Sequence, residues 1–291
     1  MATNRVIGVD VGGTKIRAGL VEPDGTIAEL VEQATDTTSQ TALLDQLGEV
    51  VRMLPLHGVQ AVGFGLPTRI DAVRGMAVGT AVNIPVRDVA FREEMQRRVG
   101  LPVEVENDAS CAALAEYAFG AGRGTRDMLI LTLGTGVGGG VVTAGRLYRA
   151  WTELGHMVIV ADGAPCMGAC SGRGHVESYC SGQAVDLLAR EVLGRPEATA
   201  HDLVRERHPA LENVGHLLGV AIGSLVNIFG SKRVVIGGGF GVAAFDQLVP
   251  AAQRSLLREA LSPSGHDLEL ATAELSEPGV IGAGLVALQG V

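Results

Sequence analysis

Lysine is nearly absent from this 291-residue sequence: Lys15 and Lys232 are the only two. Lysine and arginine together number 23 against 32 acidic residues, for a net charge of −9. DNA and acidic lipid surfaces are gripped by clustered basic residues, so this balance argues against a nucleic-acid or membrane partner. Long apolar runs are missing too. Val6–Val11 is interrupted by Asp10 and is too short for the core of a secretion signal. The longest run, from about Leu217 to Gly230, contains Asn227 and falls short of the roughly 20 residues that cross a bilayer, so it reads as a buried helix. Of the 4 cysteines, Cys166, Cys170 and Cys180 cluster beside histidines while Cys111 stands apart. With no export signal, the clustering points to a metal more than to disulfides, and the cytoplasm is the expected location.

What is present is a globular composition, 47% hydrophobic and 19% charged, long enough for two domains. The pattern predicts strands at Arg5–Asp10, Ile16–Glu22, Thr26–Gln33, Val59–Leu66 and Pro102–Glu106. Helices are predicted at about Ser39–Leu54 and Val89–Val99 and from Asn107-Asp108 to Phe119. Asp71–Asn83 reads as irregular. Strand–glycine turn–strand then recurs, at Val6–Leu20 and again at Leu129–Thr143, with a strand at Met128–Leu133, a glycine turn at Gly134–Gly140 and a strand at Val141–Ala144. Later come a helix at Leu217–Phe229, a strand at Arg233–Ile236 and a C-terminal helix at Glu277–Gln289. The expected class is α/β, with two related domains that close on one another. The small N-terminal domain takes 1–107 plus about 277–291, and the large C-terminal one takes 108–276.

In Asp10-Val11-Gly12-Gly13-Thr14-Lys15 the glycines let backbone N–H groups approach phosphate oxygens. Thr14 and Lys15 add donors, and Asp10 could hold Mg²⁺ through water. A plain hairpin turn needs no more than the glycines, so both readings stay open. The second turn contains G-x-G-x-x-G, the dinucleotide fingerprint. That fingerprint must open a helix, yet Val141–Ala144 reads as a strand, so a phosphate cradle at Gly134, Thr135 and Gly136 fits better. The triplet Gly237-Gly238-Gly239 follows a buried strand and could let an adenine lie on backbone.

Taken together these motifs resemble the ROK family of bacterial sugar kinases and repressors, which has the two-domain actin/hexokinase-like (ribonuclease H-like) ATPase fold with an interdomain cleft. The resemblance rests on Asp10–Lys15, Glu106-Asn107-Asp108-Ala109, Gly134–Gly140, Glu153-Leu154-Gly155-His156, the cysteine segment closing on Glu177, and Ile236–Gly239. It implies an ATP- and Mg²⁺-dependent hexokinase-type enzyme, foremost a glucokinase acting at O6, that forms a homodimer or homotetramer. Other hexoses or amino sugars, polyphosphate as donor, and a sugar-sensing protein without catalysis are the alternatives. Repressor members carry a DNA-binding domain before the first phosphate motif, and only 9 residues precede Asp10.

Asp108 is the expected base, because a carboxylate in reach can take the proton of a weakly nucleophilic sugar hydroxyl. Helix capping by Asn107 or Asp108 is the plainer explanation of the same pair. By resemblance Asn107, Asp108, Glu153, His156 and Glu177 line the sugar site, with Gly65 and Asn83 weaker candidates. This chain departs from the family in Pro67-Thr68 and in Val86-Arg87 after Asn83-Ile84-Pro85. The family's cysteine pattern is altered here as well: Met167-Gly168-Ala169 separates Cys166 from Cys170, and His175 replaces the third cysteine. Four N/S ligands remain, so His156, Cys166, Cys170 and His175 are expected to hold a structural Zn²⁺, with His156 also facing substrate. A metal-free loop or a Cys166–Cys170 disulfide would leave that segment without a metal. Cys111 and Cys180 read as packing residues.

Overall fold

The computed structural model describes residues 5–168 and 170–289. Ala169, in the spacer between the two cysteines, and the outermost residues of the expected domains lie outside the described residues. The chain divides into two compact units: Met1–Arg123 with Leu147–Trp151 and Leu275–Val291, and Gly124–Arg146 with Thr152–Glu274.

The first unit begins with β1 (Arg5–Val11), β2 (Lys15–Val21), β3 (Ile27–Ala34), α1 (Gln40–Arg52) and β4 (Val59–Leu66). It continues with β5 (Arg69–Asp71), β6 (Met76–Thr80), β7 (Arg87–Val89), α2 (Phe91–Val99), β8 (Val103–Asn107) and α3 (Asp108–Phe119). Its main sheet has the order β3-β2-β1-β4-β8, antiparallel through β3, β2 and β1 and parallel through β1, β4 and β8. β1 and β4 are apolar almost throughout because both their faces are covered, whereas the edge strand β3 is mostly polar and exposed. In α1 the apolar spacing Leu43, Leu44, Leu47, Val50, Val51 turns one stripe inward, and Ser39 caps its start by accepting from the Ala42 amide.

The second unit holds β9 (Met128–Leu133), β10 (Val137–Thr143), β11 (Arg146–Leu147, which ends in the first unit), α4 (Glu177–Cys180), α5 (Gly182–Leu193) and α6 (Ala200–Arg205). It ends with α7 (Ala210–Phe229), β12 (Arg233–Gly237), α8 (Gly239–Glu259) and β13 (Glu269–Thr272). The strand order β11-β10-β9-β12-β13 repeats the pattern of the first unit. α7 is long and apolar enough to cross a membrane by composition, yet ten of its residues are buried against the unit's own core. Gly215 and Gly219 bring it onto α8, where added Cβ atoms would meet the Leu248 and Ala252 carbonyl oxygens at 2.4 and 2.1 Å.

The last helix, α9 (Pro278–Leu288), belongs to the first unit. It lies in backbone contact with β1, β4 and α3: a Cβ on Gly8 would sit 1.9 Å from the Val280 oxygen, one on Gly63 1.8 Å from Ala283, and one on Gly282 1.8 Å from Cys111. This packing of α3 on α9 keeps α3 in the first unit, so the chain leaves that unit after Arg123 rather than at the expected Asn107. Part of the stretch expected to be irregular is paired: β6 runs antiparallel to β5 through a turn at which Gly75 has positive φ, and β7, beyond that stretch, joins β6 across a register irregularity that includes Gly79, also at positive φ. The expected turn Gly134–Gly140 is shorter: Gly138, Gly139 and Gly140 lie within β10 and pair with β9.

Candidate active site

The turn between β1 and β2 is held by the Gly12 amide donating to the Lys15 carbonyl at 2.9 Å and by the Thr35 hydroxyl donating to the Gly12 carbonyl at 2.7 Å. Among the described residues, the Gly13 and Thr14 amides donate to no protein group, which leaves two adjacent N–H groups at the surface. Gly13 must be glycine because Asn83 stands behind it, its Cβ and carbonyl oxygen 2.8 and 2.9 Å from where a Cβ would be. Asn83 is thereby placed as a brace of this turn. Lys15, at the start of β2, pairs with exposed Glu32 on β3 at 3.3 Å.

Asp10 ends β1 against the start of α9, where a Cβ on Gly279 would lie 2.5 Å from its carboxyl carbon. Burial, and next the Glu277 carboxylate, push the Asp10 pKa up from 3.8 to about 6, against the pull of Arg17 and Lys15. Arg17 pairs with both Glu277 at 3.0 Å and Glu32 at 2.7 Å.

Asn107 closes β8 and caps α3. Its Oδ1 accepts from the Ala109 and Ser110 amides at 3.0 and 3.1 Å, and its Nδ2 donates to the Thr68 carbonyl at 3.4 Å. Asp108 shares the Ala109 amide at 2.8 Å and occupies the first helical position. Capping therefore falls chiefly to Asn107. Gly65 is buried beneath this pair, and a Cβ there would sit 3.2 Å from Cys111 Sγ and 3.6 Å from Asp108 Cα, so its visible part is to let α3 approach β4.

In the second unit, the Gly134 amide donates to the Gly136 carbonyl at 3.0 Å, and the Gly182 amide donates to the Gly134 carbonyl at 2.7 Å. The Thr135 and Gly136 amides donate to no protein group among the described residues, which matches the first turn. Val137 donates to Glu177 Oε2 at 2.9 Å, and a Cβ on Gly136 would lie 2.5 Å from that oxygen. Of the third glycine group, Gly238 has φ +77, and a Cβ there would lie 2.5 Å from the Leu133 backbone. Gly239, the first residue of α8, is exposed, and a Cβ added there would point into open space.

Glu153 leads into a 3-10 turn, Leu154–His156, that packs on β10. Leu154 lies on Gly139, where a Cβ would be 2.6 Å from its side chain, and a Cβ on Gly155 would meet the Val137 carbonyl oxygen at 2.0 Å. These contacts require glycine at 139 in β10 and at 155 in the turn.

His156, Cys166, Cys170 and His175 converge, with one ligand atom from each within 4.8 Å of all the others. His156 Nδ1 and His175 Nδ1 are 3.3 Å apart, Cys170 Sγ is 3.7 Å from each, and Cys166 Sγ is 4.0 Å from His156 Nδ1. A tetrahedron with ordinary zinc bond lengths has N···N of about 3.4 Å and N···S of about 3.6 Å, so the four side chains fit such an ion. The Gly168 and Gly172 amides donate to Cys166 Sγ and Cys170 Sγ, each at 3.4 Å, as amides do around metal-bound sulfur. Both histidines face the cluster with Nδ1. His156 thus keeps its Nε2 for another partner. Cys111 and Cys180 are buried, and burial pushes the Cys180 thiol up to about 12.

Sequence reasoning missed what lies behind Asn107. Glu106, 4% exposed, accepts from the Asn107 amide and from Arg149 Nε, both at 2.9 Å. Burial raises its pKa while those two hydrogen bonds oppose the rise. An acid flanking Asn107-Asp108 was visible in the sequence, but nothing local linked it to an arginine more than forty positions away.

A ROK family model matches residues 6–289. The glucokinase of Streptomyces coelicolor is 40% identical over 190 residues, 64% of this chain and 59% of that protein, so the match spans less than two thirds of that relative. The glucokinase of Halalkalibacterium halodurans is 31% identical over 99% of this chain and 96% of that protein. Among solved structures, a ROK family glucokinase from Streptomyces griseus in complex with glucose and AMPPNP superposes with a TM-score of 0.85 at 30% identity, covering 99% of this chain and 100% of that one.

Proposed function

Because the chain belongs to the ROK family and shares its two-unit actin/hexokinase-like fold, we propose that it is an ATP- and Mg²⁺-dependent sugar kinase, with glucose phosphorylated at O6 as the foremost reaction. The observation that supports this reading is the place of Asp108 at the first position of α3, directly after the capping Asn107, and we assign it the role of base.

Asp108 takes the proton of the attacking hydroxyl as the new O–P bond forms. The bond from the γ-phosphorus to the bridging oxygen breaks, and its electron pair leaves on ADP. The amides of Gly13, Thr14, Thr135 and Gly136 bind phosphate oxygens, with Gly12 and Gly134 shaping the turns. Asp10 holds Mg²⁺ through water, and the ion neutralises phosphate charge when bound. Gly237, Gly238 and Gly239 receive the adenosine, the open face at Gly239 being the space for it. Asn107, Glu153, His156 and Glu177 hydrogen-bond the remaining sugar hydroxyls, and such paired acceptors select hydroxyl geometry. Lys15 can join only by giving up Glu32, an exposed pair of small energetic weight.

His156, Cys166, Cys170 and His175 hold a structural Zn²⁺, an assignment supported by their spacing and their amide-to-sulfur hydrogen bonds. The likeness to glucokinases favours glucose among the hexoses, ATP over polyphosphate as donor, and catalysis over sugar sensing alone. We place the enzyme in the cytoplasm as a homodimer or homotetramer, in keeping with the family reading.

The test is a panel of hexoses, N-acetylated amino sugars and fructose, each with ATP or polyphosphate, followed by release of ADP or by sugar phosphate formed. Glucose with ATP is expected to give the highest kcat/KM. Turnover of no sugar with either donor would sink the kinase reading.

A further inference from the structure

We propose that Arg149 is a positioning residue for phosphoryl transfer, acting through Glu106 on the Asn107-Asp108 pair. The inference rests on the kinase reading of Asp108 and adds a residue to it.

Leu147–Trp151 belongs to the first unit, whereas the chain on either side, up to Arg146 and from Thr152, belongs to the second. Two side chains of this five-residue strap fix it to the first unit. Arg149 Nε donates to Glu106 Oε2 at 2.9 Å, and the other oxygen of Glu106 accepts the Asn107 amide at 2.9 Å. Trp151 lies under the Arg69 guanidinium, 4.3 Å from its ring centroid. Arg69 follows Thr68, whose carbonyl accepts from Asn107 Nδ2. The strap therefore reaches Asn107 along two routes, one to its backbone amide and one to its side-chain amide.

Glu106 governs how Arg149 is held. Glu104 is 3.6 Å from Arg149 Nη2 and is itself paired with Arg92 at 2.8 Å. Nη2 is buried without a hydrogen-bond partner among the described residues, so the single short contact that orients the guanidinium is the one to Glu106. In return, the arginine opposes the upward push of burial on the Glu106 carboxyl and so strengthens it as the acceptor of the Asn107 amide. Glu106 and Asn107 then set the direction in which Asp108 leaves the strand. A small misplacement of a base costs rate even when binding persists.

In the full chain, Arg149→Met is expected to lower kcat for the best hexose about 10–100-fold while KM for ATP stays within about twofold. Arg149→Lys, which restores the charge, should recover several-fold of that loss, and adding Glu106→Gln to Arg149→Met should cost little more than either change alone. Without any ligand, the Ala109 and Ser110 amides that Asn107 caps should exchange hydrogen at least about tenfold faster in Arg149→Met. If that variant does not fold, Glu106→Gln alone provides the same two readouts, since it keeps the acceptor for Asn107 and removes the ion pair. A folded variant with wild-type kcat, or with unchanged exchange at Ala109 and Ser110, overturns the proposal. The exchange result needs no sugar, so it remains decisive even if no hexose is turned over, an outcome that would defeat only the kinase reading.

Discussion

In the first unit, the turn Gly12–Thr14 is braced by regular structure and its flanks: Thr35 beyond β3 bonds its carbonyl, Asn83 backs Gly13, and the start of α9 closes on Asp10. In the second, Gly134–Gly136 leans on Glu177, which directly follows a segment with almost no regular structure. Both units share one strand order and both expose two adjacent amides. The difference lies in what fixes the amides. Where helices and strands surround a turn, backbone packing suffices; where residues 157–168 and 170–176 form almost no regular structure, a cross-link must do that work, and His156, Cys166, Cys170 and His175 are placed to provide it.

Metal removal should separate the two turns most clearly. After chelation, kcat/KM for the sugar is expected to fall about 10–100-fold, with hydrogen exchange rising through 153–177 and staying unchanged at Gly12–Lys15. Elemental analysis of protein purified without added zinc is the companion measurement. Less than about a tenth of an equivalent per chain, with activity intact, would contradict a structural zinc.

A smaller effect distinguishes the braces themselves. Gly13→Ala and Gly136→Ala should each destabilise by about 1–3 kcal/mol, measured by denaturant unfolding. The clash at Gly136 is with the end of a side chain, the Glu177 oxygen at 2.5 Å, so Glu177→Ala should restore part of the stability in the double variant. The clash at Gly13 includes the Asn83 backbone oxygen at 2.9 Å, and Asn83→Ala should restore little. Equal rescue at both positions would erase the distinction.

The smallest expected effect is one of pH. Burial pushes Asp10 up to about 6 in the folded chain against 3.8 for an ordinary aspartate, so the folded state holds the proton more tightly. Its contribution then favours folding below pH 4 and is lost as pH rises to about 6, leaving a penalty above that. Without nucleotide or Mg²⁺, Asp10→Asn should remove this fall and raise Tm at pH 7 by roughly 3 °C, with no gain at pH 4. A variant whose stability follows the wild-type pH curve would show that Asp10 is not the group responsible.

Much of this was legible locally. The strands β1, β2, β4, β8 and β9 and the helices α1, α3 and α9 announce themselves by apolar spacing and caps, and the four metal-ligand candidates by residue type. What escaped depends on tertiary packing. Gly138–Gly140 reads as a loop by composition, yet Leu154 and β9 make it a strand. The triplet Gly237–Gly239 masked the start of α8, since glycines are poor helix formers, although Gly238 is demanded by the Leu133 backbone. At Lys15, Asn83 and Gly65 only the fold reveals a surface ion pair, a brace and a packing contact, beside the ligand contacts that residue type and motif lead one to expect. The pairing of Arg149 with Glu106 has no periodicity or motif behind it, because only the fold brings the two together.

The central claim is that Asp108 takes the proton while Asn107 holds the helix. Single-turnover phosphorylation of glucose by Asp108→Asn, beside its glucose affinity measured in the same preparation, tests it most directly. A loss on the order of 10²–10⁴ in the chemical step is expected, with sugar binding largely kept. An unchanged rate would contradict the claim.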